Sequence, residues 1–312
     1  MIAKGQDMTN EDYAVSRFDG AVMLLTGELK TAYRALLRED RAVCEELRLR
    51  VGQRPSALLP DGEVELNFRR LLPADLDTVL SVATEASLHA VRDSLRNGFV
   101  TAAGGFRIGI CGSASVQDGQ VTGYRAVSSV CIRIPRQISC ASPELTDRLF
   151  PSGKPCSVLL ISPPGLGKTT LLRELVRFLS NGGRRIALAD ERGEVAAMVG
   201  GVPQMDVGRR TDVLEGCRKA PAALMMLRAM NPQVVALDEI TAPEDVAAVS
   251  AVASCGVEVL ATVHGDGIGD IRRKKLYREL LELRVFDKAV EIRKKNGVRE
   301  DTALNLEEEA CC

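Results

Sequence analysis

From Thr9 to Arg50 the apolar positions recur at helical spacing, with Val22, Leu25, Leu29, Tyr33, Leu36 and Leu37 on one stripe. The pattern predicts a helical opening. Around Leu47 to Val51 it switches to alternation, and it does so again from Gly105 to Gly112, where Phe106, Ile108 and Ile110 oppose Arg107 and Gly109. A further strand is expected over Ser129 to Pro135, so the first domain reads as α+β. A loop carrying Pro143, Pro151, Gly153 and Pro155 follows. The boundary is placed near Ser139 to Pro155, which gives domains at 1–140 and 141–312.

Beyond the loop, short apolar runs alternate with helical patterns. Strands are expected at Ser157 to Ile161, Arg185 to Ala189, Val234 to Leu237 and Val257 to Val263. Helices are expected from Lys168 to Ser180, around Leu224 and from Pro243 to Cys255. Runs that are apolar throughout suit strands buried on both faces, so the second domain reads as a mainly parallel sheet covered by helices.

Composition narrows the class. With 312 residues and 46% hydrophobic content, the chain can fill two modest cores. Its 41 basic and 42 acidic residues nearly cancel, which disfavours a nucleic-acid coat. Nine cysteines without a CxxC pair read as reduced thiols of a cytosolic protein. Asp7, Glu11 and Asp12 precede any apolar run, against a secretory signal. The most apolar stretch, Val246 to Gly265, is broken by Glu258 and divides at Gly256 into a helix and a strand, so no membrane span is expected.

The chemistry concentrates in the second domain. Ser162-Pro163-Pro164-Gly165-Leu166-Gly167-Lys168-Thr169-Thr170 matches the phosphate-binding loop, with Ser162 in place of its usual first glycine. An apolar strand precedes it and a helix follows, so backbone N–H groups converge at a helix N-terminus that attracts anions. Lys168 is expected to reach the β and γ phosphates of ATP, Thr169 to offer its hydroxyl to Mg²⁺, and Thr170 to lie nearer the α phosphate. The apolar strand Val234 to Leu237 ends in Asp238 and Glu239, the pattern of a metal-holding acid followed by a water-polarising one.

Other candidates are weaker. Asp190, Glu191 and Glu194 follow the strand Arg185 to Ala189, and their bland reading is an acid-rich helix start. His264 ends the last strand of the series and could report the γ phosphate, whereas His89, in an apparently helical segment, reads as core. Arg209, Arg210 and Arg228 could face phosphate or a neighbouring subunit, or could simply be solvated. The runs Arg272 to Lys275 and Arg293 to Lys295 read as exposed helix faces or ends, and Cys311-Cys312 as tail.

The order of the phosphate loop, Ala187 to Glu194, Leu227 to Ile240 and Ala261 to Gly265 resembles the ATPase superfamily of type II and type IV secretion, in a branch tied to sporulation. The likeness extends into Glu46 to Gly52 and Gly105 to Ile110. It implies a RecA-like ATPase domain behind a smaller α+β domain. By position it also gives the acidic-box role to Asp190, Glu191 and possibly Glu194, the histidine-box role to His264, and the arginine before the acidic strand to Arg228. Asp238 departs from the pattern, since many secretion ATPases carry glycine there. The likeness further implies a homo-hexamer whose trans arginine could come from Arg107, Arg133 or Arg136, docked in the mother cell beside an inner-membrane platform protein during endospore formation.

The expected function is therefore Mg²⁺-dependent ATP hydrolysis powering a secretion-type membrane complex, with Glu239, Glu191, Arg228 and His264 as catalytic residues. The rivals are a nucleic-acid-dependent RecA-like ATPase and a nucleotide-gated scaffold with negligible turnover.

Overall fold

The structure is a computed structural model that describes residues 10–84, 98–135, 141–295 and 298–306. Residues group into two compact units, one up to 137 and one from 138 onwards. His89, Arg136 and Cys311-Cys312 lie outside the described residues.

In the first unit the helical opening is three helices, α1 (Asn10–Met23), α2 (Gly27–Arg34) and α3 (Arg38–Val43). The chain breaks after α1 at Gly27, whose φ of +40° favours a residue without Cβ. Next come strands β1 (Glu46–Arg50), β2 (Ser56–Leu59) and β3 (Gly62–Glu65), then helix α4 (Pro73–Thr84). Strands β4 (Phe99–Ala102), β5 (Phe106–Gln117) and β6 (Gln120–Arg133) complete an antiparallel sheet of order β3-β2-β1-β6-β5-β4. Alternation does the sorting. Leu47, Leu49, Ile108 and Ile132 are fully buried and pack with Phe18, Val22, Leu29, Tyr33, Leu76 and Val79 of the helices. Each such aliphatic burial contributes about 1.5–3 kcal/mol. The strand expected at Ser129 to Pro135 is only the end of β6, which pairs with β5 along a hairpin turning at Asp118-Gly119.

The second unit opens with helix α5 (Pro143–Leu149), whose first turn is capped by Ser142 Oγ accepting from the Leu145 N–H. It continues through β7 (Val158–Ser162), α6 (Lys168–Asn181), β8 (Ile186–Asp190), the small pair β9 (Met198–Val199) and β10 (Val202–Pro203), and β11 (Thr211–Glu215). Then follow α7 (Lys219–Met230), β12 (Val234–Leu237), α8 (Pro243–Ser254), β13 (Glu258–His264), α9 (Ile268–Ile271), α10 (Lys275–Glu282), β14 (Lys288–Lys295) and β15 (Val298–Asn305). The large sheet has the order β11-β8-β12-β13-β7-β14-β15, parallel except for the last pair.

Successive residues of each central strand enter different cores. Leu159, Ile161, Ala187, Ala189, Val235 and Leu237 join one cluster, while Val158, Leu160, Ile186, Leu188, Val234 and Ala236 join the other. Both faces are thus covered, which is why these strands read as unbroken apolar runs. Polar side chains are left the strand ends. The run Arg293 to Lys295, expected on a helix, instead ends β14: its alternation lies in a half-exposed edge hairpin where charged residues mask the period of two.

Candidate functional site

Parallel sheets bind ligands at the carboxyl ends of their strands, where the covering helices begin. Strand β7 leaves the sheet at the buried Ser162, and the chain turns through Gly165 (φ +79°) and Gly167 (φ +81°) before α6 starts at Lys168. Both glycines hold left-handed conformations that a side chain would strain. Lys168 is only 6% exposed, and its ammonium has no hydrogen-bond partner. Burial pushes its pKa down, against the pull of Asp238 and Glu239. A buried, unpartnered ammonium at a helix N-terminus fits an anion, because otherwise it forfeits hydration with nothing in exchange.

Three strand ends supply the acids and their holders. The Thr169 hydroxyl donates to Asp238 Oδ2 at 3.1 Å, and the Thr262 hydroxyl donates to Asp238 Oδ1 at 2.8 Å. Burial raises the pKa of Asp238 against these bonds and against Lys168. A hydroxyl and a carboxylate oxygen side by side form the hard donor set that Mg²⁺ accepts, the remainder coming from water and phosphate. Glu239 sits at φ +56°, a left-handed backbone costing about 1 kcal/mol, and its N–H donates to Thr262 Oγ1 at 2.7 Å. That turn carries its carboxylate between Arg192 Nη1 and His264 Nε2, each 3.2 Å away. His264 Nδ1 in turn lies 3.3 Å from the Ser162 carbonyl, tying the acid to the root of the loop from Ser162 to Thr170.

The acids after β8 divide their labour. Asp190 is buried, and its carboxylate accepts from the N–H groups of Glu194 (3.0 Å), Val195 (3.1 Å) and Ala196 (2.8 Å). It therefore shapes the loop. Arg173 of α6 supports the same loop by donating to the carbonyls of Val195 and Glu194. Glu191 faces Lys219 Nζ at 2.7 Å, and that lysine also lies 3.9 Å from Asp245 Oδ2. Burial alone would raise the pKa of Glu191, but the hydrogen bond and charge of Lys219 outweigh it and lower it. Asp245 accepts from the N–H groups of Thr241 and Ala242 just beyond Glu239, so Lys219 links the exits of β8 and β12.

Of the sequence-derived candidates, Ser162 to Thr170, Asp238, Glu239 and His264 come together at this edge, with Glu191 beside them. Arg228 does not join them. It donates to Leu224 O within α7 and lines a shallow depression with Pro221, Met225 and Ala229. Arg209 and Arg210 stand where β11 begins, bonded to Asn181, Ser180 and Gly183, at the opposite end of the strands. In the first unit, Arg107 lies over the Phe99 ring and Arg133 pairs with Glu46. Arg192, Lys219 and Thr262 escape sequence reading, as does Arg299, held by Asp301 at 2.8 and 2.9 Å with Nη1 3.5 Å from the Gly167 carbonyl.

Known proteins share this fold. The chain superposes on the ATPase DotB of Legionella pneumophila with a TM-score of 0.55, 17% identity and coverage of 85% of this chain and 78% of that one. On the pilus retraction motor PilT, solved with bound ADP, the TM-score is 0.56, with 19% identity and coverage of 85% and 80%. These likenesses establish the fold, a RecA-like ATPase domain behind an N-terminal domain. Stage III sporulation protein AA of Bacillus subtilis (strain 168) is 34% identical over 280 residues, 88% of this chain and 90% of that protein. The profile of the family described as "Sporulation stage III, protein AA" matches residues 22–301, and the chain belongs to that family.

Proposed function

We propose that the protein binds Mg·ATP on the loop from Ser162 to Thr170 and hydrolyses it, driving a secretion-type membrane complex during endospore formation. The observation that carries this reading is the buried Lys168 ammonium, unpartnered at a left-handed glycine loop and flanked by Asp238 and Glu239. Lys168 and the loop N–H groups would hold the β and γ phosphates. Thr169 and Asp238 would hold Mg²⁺, which when bound neutralises charge on the phosphates. Glu239, set between Arg192 and His264, would orient a water and accept its proton, and His264 would carry the state of Glu239 to Ser162. Glu191 would act beside it, positioned by Lys219.

The proposed assembly is the one that the secretion-ATPase resemblance implies, a motor built from several copies, with a homo-hexameric ring and an inner-membrane platform protein as its proposed partners. Its proposed place is the cytosolic face of that membrane, in the mother cell. Among the described residues no helix is long and apolar enough to cross a membrane, so attachment would run through the platform. Arg228, on the solvent side of α7, would serve a neighbouring copy.

Phosphate release, measured at several protein concentrations with and without DNA, tests the reading. The expected result is Mg²⁺-dependent turnover that rises with concentration, ignores DNA and disappears in Lys168→Ala. Turnover that requires DNA would identify a nucleic-acid translocase. Tight nucleotide binding without turnover, even with the membrane partner, would identify a scaffold.

A further inference from the structure

The site so far accounts for the phosphate end of a nucleotide. In the sheet order β11-β8-β12-β13-β7-β14-β15, the acids stand on one side of β7. A nucleotide whose terminal phosphate meets Lys168, Asp238 and Glu239 must therefore send its base away from β12, towards β14 and β15. Arg299 is on that side. It pairs across the hairpin with Lys294, near the carboxyl end of β14, and so stands at the sheet edge from which the phosphate loop springs.

Three features fix the guanidinium there. Asp301 grips it through two parallel bonds, Nε to Oδ1 at 2.8 Å and Nη2 to Oδ2 at 2.9 Å, which locks its plane. Its third nitrogen, Nη1, lies 3.5 Å from the Gly167 carbonyl. Glycine at 167 leaves room for this approach, since a Cβ there would fall 2.6 Å from Nη1 and push the guanidinium aside. An arginine paired this closely is nearly neutralised, so it adds little attraction for phosphate beyond that of Lys168. A flat guanidinium held in one plane is suited to stacking on a planar ring.

We propose that the Arg299–Asp301 pair is the platform on which the purine base of the nucleotide stacks. The proposal rests on the nucleotide reading of the phosphate loop. It makes Arg299 a substrate-binding residue on the C-terminal hairpin, and it ties that hairpin's position to whether the loop is loaded.

Calorimetric titration with ATP and with inorganic tripolyphosphate, which has the phosphates but no base, separates the two readings. In Arg299→Ala, ATP affinity should fall about tenfold while tripolyphosphate affinity stays unchanged. Arg299→Lys keeps the charge but loses the flat face, and should behave like Arg299→Ala. Asp301→Asn frees the plane and should weaken ATP alone, by a smaller factor. Thermal melts of each variant show whether the fold is kept, and Asp301→Asn serves as the test should Arg299→Ala unfold. Equal weakening of both ligands, or full rescue by lysine, would overturn the platform and make Arg299 a phosphate or loop contact. Failure of wild-type protein to bind either ligand would overturn the nucleotide reading, and the platform with it.

Discussion

The two sheets of this protein solve the same packing problem differently. The antiparallel sheet of the first unit buries Leu47, Leu49, Ile108 and Ile132 against its helices and turns Glu46, Arg48, Arg50, Arg107 and Arg133 to the other face. The parallel sheet of the second unit is covered on both faces, so its polar chemistry is pushed to the ends of its strands. On that face Arg48, Arg50 and Arg133 are at least a third exposed and adjustable, while Glu46 is buried among them. Charges at the ends of buried strands are held by other protein groups, as Asp238 is by Thr169 and Thr262, and removing one disturbs its neighbours.

The sharpest way to test that contrast is at Glu239. Glu239→Gln keeps the shape but removes the carboxylate, between Arg192 and His264, that is proposed to accept the water's proton. It should lower kcat by about 100- to 10,000-fold with nucleotide affinity intact. Single-turnover phosphate release beside equilibrium nucleotide binding checks both parts, and unchanged turnover would remove Glu239 from its role.

A second, smaller effect is expected at Lys219. Replacing it with Met leaves Asp245 buried without a cation and releases Glu191, which should cost about 2–3 kcal/mol of stability. The second unit's urea unfolding midpoint reports this. Lys219→Arg should recover part of it. A neutral result would mean that the link between β8 and β12 is carried by the backbone bonds around Asp245 alone.

The two regions also predict opposite pH dependences. Burial raises the pKa of Asp190 despite the backbone bonds to its carboxylate. Its contribution to stability is therefore fullest below the ordinary carboxylate pKa, and it is lost as pH rises through the folded value. Glu46 behaves in reverse. Burial would raise its pKa, but Arg48, Cys131 and Arg133 prevail and lower it, so its contribution is present above the unfolded value and lost as pH falls through the folded one. Denaturant melts between pH 3 and 8, a range that spans the ordinary carboxylate titration near about pH 4, should show the deficit of Glu46→Gln growing as pH rises and that of Asp190→Asn shrinking. Slopes of the same sign would break the comparison.

The same contrast governs what was legible in the sequence. The strands of the second unit that surround the site stand within a residue or so of their expected bounds, because double burial writes a continuous apolar run. In the first unit β3 has no buried residue, and the outer halves of β5 and β6 are small and polar, so no period reached above the noise. The loop from Ser162 to Thr170 and the pair Asp238-Glu239 are each contiguous in sequence, so they could be picked out as candidates without the fold. The roles of Asp190 and Glu191 could not, because only the folded chain decides which acid turns to backbone N–H groups and which meets Lys219. Arg299 was hidden for a similar reason: its partner Gly167 is distant in sequence, and its strand alternates with charges on an exposed edge.

The smallest effect is expected where the contrast began, on the arginine-bearing face of the first unit. Arg50 pairs with Glu63 across two strands, and both side chains are more than a third exposed. Such a pair gains little from its attraction, because water screens it and two long side chains must be ordered to make it. Arg50→Ala should therefore change stability by less than about 0.5 kcal/mol, and added salt should shrink even that. Urea unfolding at two ionic strengths measures both. A loss above about 1.5 kcal/mol would show instead that the pair is desolvated in solution. If that loss also grew with protein concentration, the face would be one that another copy of the chain covers, and its charges would belong with those at the strand ends of the second unit.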